Sequence, residues 1–373
     1  MMSVRRYVEQ KLWGRGRGID SALLRLIAGC LAVVYIVVIE SRRLLYRWAV
    51  KKRKVLEATV ISVGNITLGG AGKTPVVAFL ARFLQERGSQ VGVLSRGYGR
   101  RTRGARIVSD GHTIHLNWLE AGDEPYLLAR HLPGVPVLVG ARRASTGRLA
   151  IDQFGADTLL LDDGFQHVQL HRNSDIVVID ALNPFGNGRV VPAGPLREPL
   201  GNLKRATLFW LTRVDQAGDL SLLEETLLAI QPAACIVKST YRPSGLTSLE
   251  TDSEIDLSVL RGSKTILLCG IANPLSFRKT VLGVGADVID TCCFPDHHAF
   301  STSEIQDIQK KAVEMGADAI VTTEKDGVRV PREIQFAVPI YELRIEVDIR
   351  HGEECLTRVL WNKRLTHTYP RKS

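Results

Sequence analysis

Aromatic residues and paired cysteines are both scarce in this sequence. Aromatic side chains make up 6% of the 373 residues, and no stretch interleaves them with basic side chains in the manner that stacks RNA bases. The six cysteines include no CxxC pair and no zinc-ligand spacing. We therefore expect no nucleic-acid partner and no zinc site, and we expect reduced cysteines in a protein that faces the cytosol.

Internal repeats and low-complexity tracts are also missing. Apolar residues form 45% of the chain and charged residues 24%, which is ordinary for a globular protein. The length suffices for one large domain or two ordinary ones. The unusual feature is a formal charge of +10, because such a basic excess suits an anionic membrane surface, an acidic substrate or nucleic acid.

One long apolar segment lies near the N-terminus. Residues 22–39 are apolar apart from Arg25, and basic residues flank them on both sides. The segment is just short of the roughly 20 apolar residues that a spanning helix requires. It begins too late for a signal peptide and has no convincing cleavage site, and two basic flanks give it no orientation. Three alternatives are a helix lying in the inner face of a bilayer, a transmembrane helix and a buried helix. The first places the basic residues of both flanks on anionic headgroups.

A glycine-rich loop between a strand and a helix is the strongest motif. Residues 59–63 are a β-branched run typical of a buried strand, and Lys73 begins a helix with an apolar face. The loop backbone would bind a phosphate, Lys73 would reach the β- and γ-phosphates, and the Thr74 hydroxyl would bind Mg²⁺. Thr67 stands where this pattern usually has its first glycine. The predicted nucleotide-binding residues are Thr67, Gly69, Gly70, Ala71, Gly72, Lys73 and Thr74.

An acidic pair follows a second apolar strand. Residues 158–161 end in Asp162 and Asp163. A hydrophobic strand that ends in a carboxylate is the second half of a P-loop nucleotide site, where the acid holds Mg²⁺ directly or through water. The predicted metal ligands are therefore Thr74, Asp162 and Asp163.

Strand and helix patterns alternate along most of the chain. They predict an α/β fold, P-loop NTPase-like, with a doubly wound and mostly parallel sheet. A polar stretch after residue 240 separates this domain from a second, smaller α/β set. The Pro- and Gly-rich residues 183–199 predict a long ordered loop, which in compact domains usually carries function. The predicted divisions are 1–54, the membrane-associated helix with its basic flanks; 55–238, the P-loop domain; 239–345, the smaller domain; and 346–373, a helix and a basic tail.

Seven motifs together resemble one protein family. They are GGAGKTP at 69–75, SRGYGR at 95–100, GDEP at 122–125, DDGFQH at 162–167, NPFGNGRVVPAGPLREP at 183–199, FPDHH at 294–298 and TEKD at 323–326. On these motifs, which cover nearly the whole chain, the sequence resembles the tetraacyldisaccharide 4′-kinases, the lipid A 4′-kinases of Gram-negative bacteria. Thr67 follows the pattern of that family.

The resemblance implies an activity and a location. It implies transfer of the γ-phosphoryl group of ATP to the 4′-hydroxyl of a tetraacylated glucosamine disaccharide 1-phosphate, giving lipid IVA in lipid A and lipopolysaccharide biosynthesis. ATP and Mg²⁺ are the implied cofactors, and the glycolipid and a membrane surface are the implied partners. The implied setting is the cytoplasmic face of the inner membrane, with an active site in the cleft between two domains.

The resemblance also assigns roles to individual residues. A sugar hydroxyl is a poor nucleophile at pH 7, so a carboxylate should take its proton. Asp123 looks like this base, and His297 from the second domain would orient it, with His298 the weaker choice. The predicted catalytic residues are Lys73, Asp123, Asp162, Asp163, Arg197 and His297, and Glu198 joins the nucleotide-binding set.

A membrane-associated P-loop GTPase or ATPase switch that binds a protein partner is the competing interpretation. It rests on residues 212–215, Thr-Arg-Val-Asp, at the end of a predicted strand. They look like a degenerate guanine-reading motif in which Arg213 replaces the usual lysine. A strong preference for GTP would favour the switch over the kinase.

Overall fold

The computed structural model describes residue 13, residues 19–48 and residues 50–361. Most of the predicted basic flank before residue 22 and all of the basic tail after residue 366 lie outside the described residues. The chain divides into two compact units. Unit 1 comprises Met1–Arg96, Gly140–Thr240 and Ile349–Ser373, and unit 2 comprises Gly97–Val139 and Tyr241–Asp348.

Unit 1 contains a parallel sheet in the order β8-β7-β6-β1-β5-β2, with labels in chain order. Most residues of these strands are buried, which explains why they read as continuous apolar runs. The strands are β1 (Thr59–Gly64), β2 (Val91–Ser95), β5 (Thr158–Asp162), β6 (Ser174–Asp180), β7 (Leu208–Thr212) and the first part of β8 (Cys235–Ser248). The helices are α1 (Ile19–Arg47), α2 (Lys73–Gln85), α5 (Arg143–Phe154), α6 (Ser221–Ile230) and α10 (Glu353–Trp361), with a 3₁₀ helix at Leu200–Arg205.

Unit 2 contains a sheet region with strands in the order β11-β10-β12-β13-β8, with β9 beside β8 and an antiparallel pair β3–β4. Side chains alternate across it: Leu267 joins a core that includes Phe277, whereas Ile266 joins a core that includes Ile305. The strands are β3 (Arg106–Ser109), β4 (Val137–Val139), β9 (Glu254–Ile255), β10 (Lys264–Cys269), β11 (Asp287–Cys293), β12 (Ala319–Thr323) and β13 (Ile340–His351). The helices are α3 (Trp118–Ala121), α4 (Asp123–His131), α7 (Pro274–Gly283), α8 (Thr302–Glu314) and α9 (Glu324–Gly327), with a 3₁₀ helix at Leu257–Leu260.

The compact units do not follow the predicted domain limits. The limit predicted after residue 238 falls inside β8, which runs unbroken for 14 residues. Residues 97–139, predicted within the P-loop domain, group with unit 2. Arg130 pairs with Glu342 at 3.1 Å and His131 with Glu324 at 2.7 Å. An alternating strand–helix pattern in the sequence does not reveal which unit the segment 97–139 joins.

The expectation of reduced cysteines fails for one pair. Cys235 at the start of β8 and Cys355 in α10 form a disulfide across 120 positions of sequence, with their Cα atoms 6.1 Å apart. Cys30, Cys269, Cys292 and Cys293 are free thiols. The pairing depends on where β8 and α10 meet, and spacing along the chain does not show it.

Helix α1 packs along one side on the loop of unit 1 that ends at the 3₁₀ helix. Ala28 and Ala32 are buried against Ala193. The Tyr35 hydroxyl donates to the Arg197 carbonyl at 3.1 Å. The other side of α1 exposes large apolar side chains, and among the described residues α1 is the helix long and apolar enough to cross a membrane by length and composition.

Gly64 at the end of β1 permits a close backbone approach. A Cβ at this position would lie 2.6 Å from both the backbone nitrogen and the Cβ of Phe165, which is fully buried. Gly64→Ala should therefore lower the free energy of unfolding by about 1–3 kcal/mol, the usual cost of overpacking. Urea unfolding followed by circular dichroism measures it. Gly218→Ala, which would meet nothing within 4 Å, is the control, and equal midpoints would refute the prediction.

Candidate active site

The phosphate loop follows β1 at the centre of the unit 1 sheet, between β5 and β6. Ligands of open α/β sheets bind at this carboxyl end of the strands. Gly72 caps α2 in the left-handed conformation, with φ +82°, which only glycine adopts readily. Gly72 makes no side-chain hydrogen bond to the first turn of α2. The N-terminus of this helix is therefore suited to bind a phosphate.

The position of Thr67 explains why no glycine is needed there. Thr67 forms an antiparallel bridge with Leu196. On either side of it, the Leu68 N–H donates to the Pro195 carbonyl at 2.7 Å and the Arg197 N–H donates to the Ile66 carbonyl at 2.7 Å. The start of the phosphate loop is thus paired as a strand with the loop at 183–199, and any L-residue adopts such a conformation.

Two carbonyls of the phosphate loop are held by residues at the end of β7. The Thr212 hydroxyl donates to the Ala71 carbonyl at 3.1 Å, and the Arg213 guanidinium donates to the Gly70 carbonyl at 3.3 Å. Arg213 also pairs with Asp180 at 2.6 Å. These contacts give the segment at 212–215 a role in shaping the loop, which differs from the guanine-reading role of the competing interpretation.

Asp163 lies between two cations. Its carboxylate is 3.3 Å from Lys73 Nζ and 2.8 Å from Arg197 Nη1, and Lys73 also donates to Asn65 Oδ1 at 3.0 Å. Burial raises the pKa of the Asp163 carboxyl, but Lys73 and Arg197 outweigh this effect and hold the pKa well below its usual range. Lys73, Asp163 and Arg197, three of the predicted catalytic residues, therefore meet in one charged cluster.

The predicted metal ligands offer oxygen donors of the kind that Mg²⁺ prefers. Asp162 is buried, and its Oδ2 accepts a hydrogen bond from Ser95 Oγ at 2.8 Å. Across the described residues, no group of three or more His, Cys, Asp or Glu side chains is arranged so that it could hold a metal ion by itself. A hydroxyl from Thr74 with carboxylates from Asp162 and Asp163 fits Mg²⁺, because this ion is commonly bound through one or two carboxylates and substrate phosphates.

Glu198 lies in a buried polar network and not at the loop surface. Its carboxylate accepts hydrogen bonds from Arg205 at 2.9 Å, from Asn202 at 2.9 Å and from Gln166 at 3.0 Å. Asn202 in turn donates to Glu40 of α1 at 2.7 Å. This placement favours support of the neighbouring Arg197, and the predicted nucleotide contact of Glu198 stays a prediction.

Asp123 and His297 meet in unit 2. Asp123 is the first residue of α4, and its Oδ2 lies 2.7 Å from His297 Nδ1. The other oxygen, Oδ1, accepts from the Glu124 N–H at 2.9 Å. The expectation that the two residues come from different domains is not met, because residues 97–139 group with unit 2.

The surroundings of this pair favour an ionised carboxylate. Burial would raise the pKa of the Asp123 carboxyl, but the His297 hydrogen bond and the charges of Lys325 and Arg329 hold the pKa below its ordinary value. His297 has φ +62°, a conformation that costs a non-glycine residue of order 1 kcal/mol and that clusters at functional sites. Asp123 is therefore ready to accept a proton at neutral pH.

The neighbouring His298 serves a different purpose. Its Nε2 lies 3.0 Å from Glu304 of α8, and its ring stacks on Phe294 with the ring centroids 4.8 Å apart. These contacts hold the FPDHH segment on the core of unit 2. They agree with the choice of His297 over His298 as the partner of Asp123.

Sequence reasoning missed several residues that contact the predicted ones, including the four that follow. Asn65 binds Lys73, Ser95 binds Asp162, Arg213 binds Gly70, and Lys325 lies near His297. Ser95 and Lys325 fall within the SRGYGR and TEKD motifs, so the motifs were a signal for them. Nothing in the spacing of Asn65 or Arg213 indicated these contacts.

Three features define the class of nucleotide-binding fold. They are the parallel sheet, the glycine-rich loop with Lys73 and the acids that end β5. Unit 1 is a P-loop NTPase-like nucleotide fold, as predicted. The sequence also identifies the family. Residues 24–363 match the sequence model of the family LpxK, described as tetraacyldisaccharide-1-P 4′-kinase. The chain belongs to that family, which confirms both the resemblance and the predicted kinase class.

Individual relatives agree with this assignment. The tetraacyldisaccharide 4′-kinase of Anaeromyxobacter sp. (strain Fw109-5) is 45% identical over 302 residues, 81% of this chain and 81% of that protein. The protein of the same name from Halothermothrix orenii is 40% identical over 352 residues, 90% of this chain and 91% of that protein. A crystal structure of an "apo" form of LpxK from Aquifex aeolicus in complex with ATP gives a TM-score of 0.73 at 30% identity, covering 91% of this chain and 99% of that chain.

The Asp123–His297 contact predicts coupled losses of activity. Asp123→Asn and His297→Ala should each lower kcat by about 10²–10⁴-fold, the usual contribution of general-base catalysis. The double variant should be scarcely slower than the slower single variant, because both changes disable one step. Steady-state kinetics with ATP affinity measured alongside tests this.

His298→Ala is the matched control for this comparison, since it removes the adjacent imidazole without touching Asp123. Its kcat should stay close to that of the unchanged chain. Losses at Asp123 and His297 that multiply in the double variant would show that the two residues act separately. A loss of ATP affinity at Asp123 would make it a nucleotide or metal ligand instead.

Proposed function

We propose that this chain transfers the γ-phosphoryl group of ATP to the 4′-hydroxyl of a tetraacylated glucosamine disaccharide 1-phosphate, giving lipid IVA. Family membership across residues 24–363 carries the proposal. The relatives from Anaeromyxobacter and Halothermothrix bear the name tetraacyldisaccharide 4′-kinase, and the Aquifex relative binds ATP. The geometry of the two units supports it independently.

Charge neutralisation is the task of unit 1. Phosphoryl transfer depends on positioning and on stabilisation of developing negative charge more than on covalent help from the protein. The loop backbone and the N-terminus of α2 hold the phosphates, and Lys73 leaves Asn65 and Asp163 to reach the β- and γ-oxygens. Arg197 keeps Asp163 ionised and aligned.

The oxygen ligands beside this loop suit a magnesium ion. Thr74, Asp162 and Asp163 would hold it, and the bound ion supplies positive charge to the phosphate oxygens. Asp163 is paired with Lys73 and Arg197, and these two cations keep its carboxylate ionised.

Proton removal is the task of unit 2. Asp123 takes the proton of the acceptor hydroxyl as the bond to phosphorus forms, and His297 orients the carboxylate through its Nδ1. A carboxylate whose pKa is held below its ordinary value is fully ionised at neutral pH. Activity that depends on it is therefore present above this pKa and is lost as the pH falls through it.

The exposed side of α1 supports a membrane surface as the second partner. Leu31, Val34 and Val38 are 54%, 62% and 61% exposed, whereas Ala28 and Ala32 on the other side are buried. A helix docked along its length on the globular unit is better placed to lie in a bilayer face than to cross the bilayer. We place the protein at the cytoplasmic face of the inner membrane, where the basic excess meets anionic headgroups.

The direct test is product formation by the purified chain. With ATP, Mg²⁺ and the disaccharide 1-phosphate, thin-layer chromatography should show a lipid with one added phosphate. Lys73→Ala should reduce the rate by about 10²–10³-fold, because it removes a charge that stabilises the transition state. Lys311→Ala, in α8 and paired with Asp290, is the control. Nucleotide hydrolysis without a lipid product, and with a preference for GTP, would favour the switch.

The apolar side of α1 yields a separate prediction. Leu31→Gln, Val34→Gln and Val38→Gln together should weaken binding to phosphatidylethanolamine–phosphatidylglycerol vesicles by at least about 100-fold, since each buried side chain contributes about 1.5–3 kcal/mol. Activity on substrate dispersed in detergent should persist. The control carries Gln at Leu222, Leu275 and Val313, which are exposed outside α1. Unchanged vesicle binding in a flotation assay would show that another surface anchors the protein.

A further inference from the structure

Two thiols that the mechanism does not use lie side by side at the ends of neighbouring strands in unit 2. Cys269 is the last residue of β10 and Cys293 the last residue of β11, and the two are register partners in this parallel pair. Their Sγ atoms are 3.8 Å apart. Cys269 is fully buried, whereas Cys293 is exposed. A reagent in solution can therefore reach Cys293, and Cys269 is the nearest thiol to it.

The backbone at this place allows a disulfide. Disulfides join residues whose Cα atoms are about 4.4–6.8 Å apart, and neighbouring strands of a sheet lie about 4.7–4.9 Å apart. The sulfurs have to approach from 3.8 Å to about 2.0 Å. Cys292 is excluded as the partner, because it packs against the core of Ile305 and Cys269 belongs to the core of Phe277 on the other face.

The FPDHH segment begins directly after Cys293. The Phe294 N–H donates to the Cys269 carbonyl at 2.8 Å, so this segment is attached to both strand ends. His297, which lies 2.7 Å from Asp123, belongs to the same segment. A shift of the strand ends is therefore passed on to the contact between His297 and Asp123.

The packing around the end of β10 leaves little room to absorb such a shift. A Cβ at Gly270 would lie 2.9 Å from the Pro295 carbonyl oxygen and 3.2 Å from Asp326 Oδ1. Residue 270 is thus enclosed by the FPDHH segment on one side and by α9 on another. Misplacement of a catalytic group by about 1 Å can cost about 10²-fold in rate.

We propose that Cys269 and Cys293 are an oxidation-sensitive thiol pair, and that their conversion to a disulfide displaces the FPDHH segment and slows phosphoryl transfer. The disulfide itself is independent of the proposed function, whereas the loss of rate rests on it. Such a pair suits a protein that faces the cytosol, where disulfides are usually transient and redox-sensing.

The covalent step is thiol–disulfide exchange with a small disulfide such as glutathione disulfide. The Cys293 thiolate attacks one of its sulfurs, and the first glutathione leaves as a thiolate. Cys269 then attacks Cys293 Sγ in the mixed disulfide, and the second glutathione leaves. Two protein thiols are oxidised, one small disulfide is reduced to two thiols, and the two protons of the protein thiols pass to the two glutathiones. Burial and the neighbouring Cys293 raise the pKa of the Cys269 thiol, which agrees with Cys293 reacting first.

The first test identifies the bond and does not depend on activity. The full chain in detergent is reduced, freed of reductant and incubated in glutathione buffers with an increasing share of the disulfide. After the free thiols are blocked with N-ethylmaleimide, mass spectrometry of tryptic peptides should show a Cys269–Cys293 link that excess dithiothreitol removes. Cys292 lies on the same tryptic peptide as Cys293, so the link should persist in Cys292→Ala and vanish in Cys293→Ser. A glutathione adduct alone, or a link through Cys292, overturns the proposal.

The second test measures the kinase reaction of the same samples. The oxidised chain should lose about 10–10²-fold in kcat, and dithiothreitol should restore it. Cys293→Ser retains Cys235 and Cys355, so it separates the two cysteine pairs, and its kcat should match that of the reduced chain with or without oxidant. An oxidised chain that carries the link and keeps its full rate overturns the proposal, as does an equal loss in Cys293→Ser. A reduced chain that makes no phosphorylated lipid defeats the proposed function and leaves the mapped disulfide standing.

Discussion

A phosphate loop binds an anion only if its peptide N–H groups are left to the ligand while its carbonyls are satisfied elsewhere. Much of unit 1 serves this constraint. Pro195 and Arg197 pair with the entrance of the loop through their backbones, and Thr212 and Arg213 hold two of its carbonyls. Elements far apart in sequence thus fix the turn before any ligand is present, so little ordering is left to the moment of binding.

Unit 2 meets a different constraint, the burial of a carboxylate that must stay charged. Burial works against the charge of Asp123, and an isolated buried anion would be neutralised by taking up a proton. His297 supplies a hydrogen bond, and Lys325 and Arg329 supply positive charge, with Arg329 at 4.0 Å from the carboxylate. Asp123, the proposed base, is therefore kept ionised and still has lone pairs for a proton.

The sequence was most informative where one segment is enough to define a structure. The strand at β1, the glycine-rich turn and the start of α2 at Lys73 follow from local pattern, and the acids after β5 follow from the same logic. The Asp123–His297 contact spans 174 positions and came from family resemblance, since no periodicity links its two partners. Arg213 reaches Gly70 across 143 positions of sequence, and Asn65 reaches Lys73 across the glycine-rich turn. No periodicity indicates either contact, so physical reasoning on the chain alone did not reach them.

Helix α1 is joined to the loop that carries two predicted site residues. Tyr35 donates to the carbonyl of Arg197, and Glu40 accepts from Asn202, which donates to Glu198. Removing α1 is an obvious way to make the protein more soluble. A chain that starts after α1 loses these hydrogen bonds and exposes Ala193 to water. Nucleotide affinities measured on such a fragment would describe a loosened loop, and they would not transfer to the intact protein.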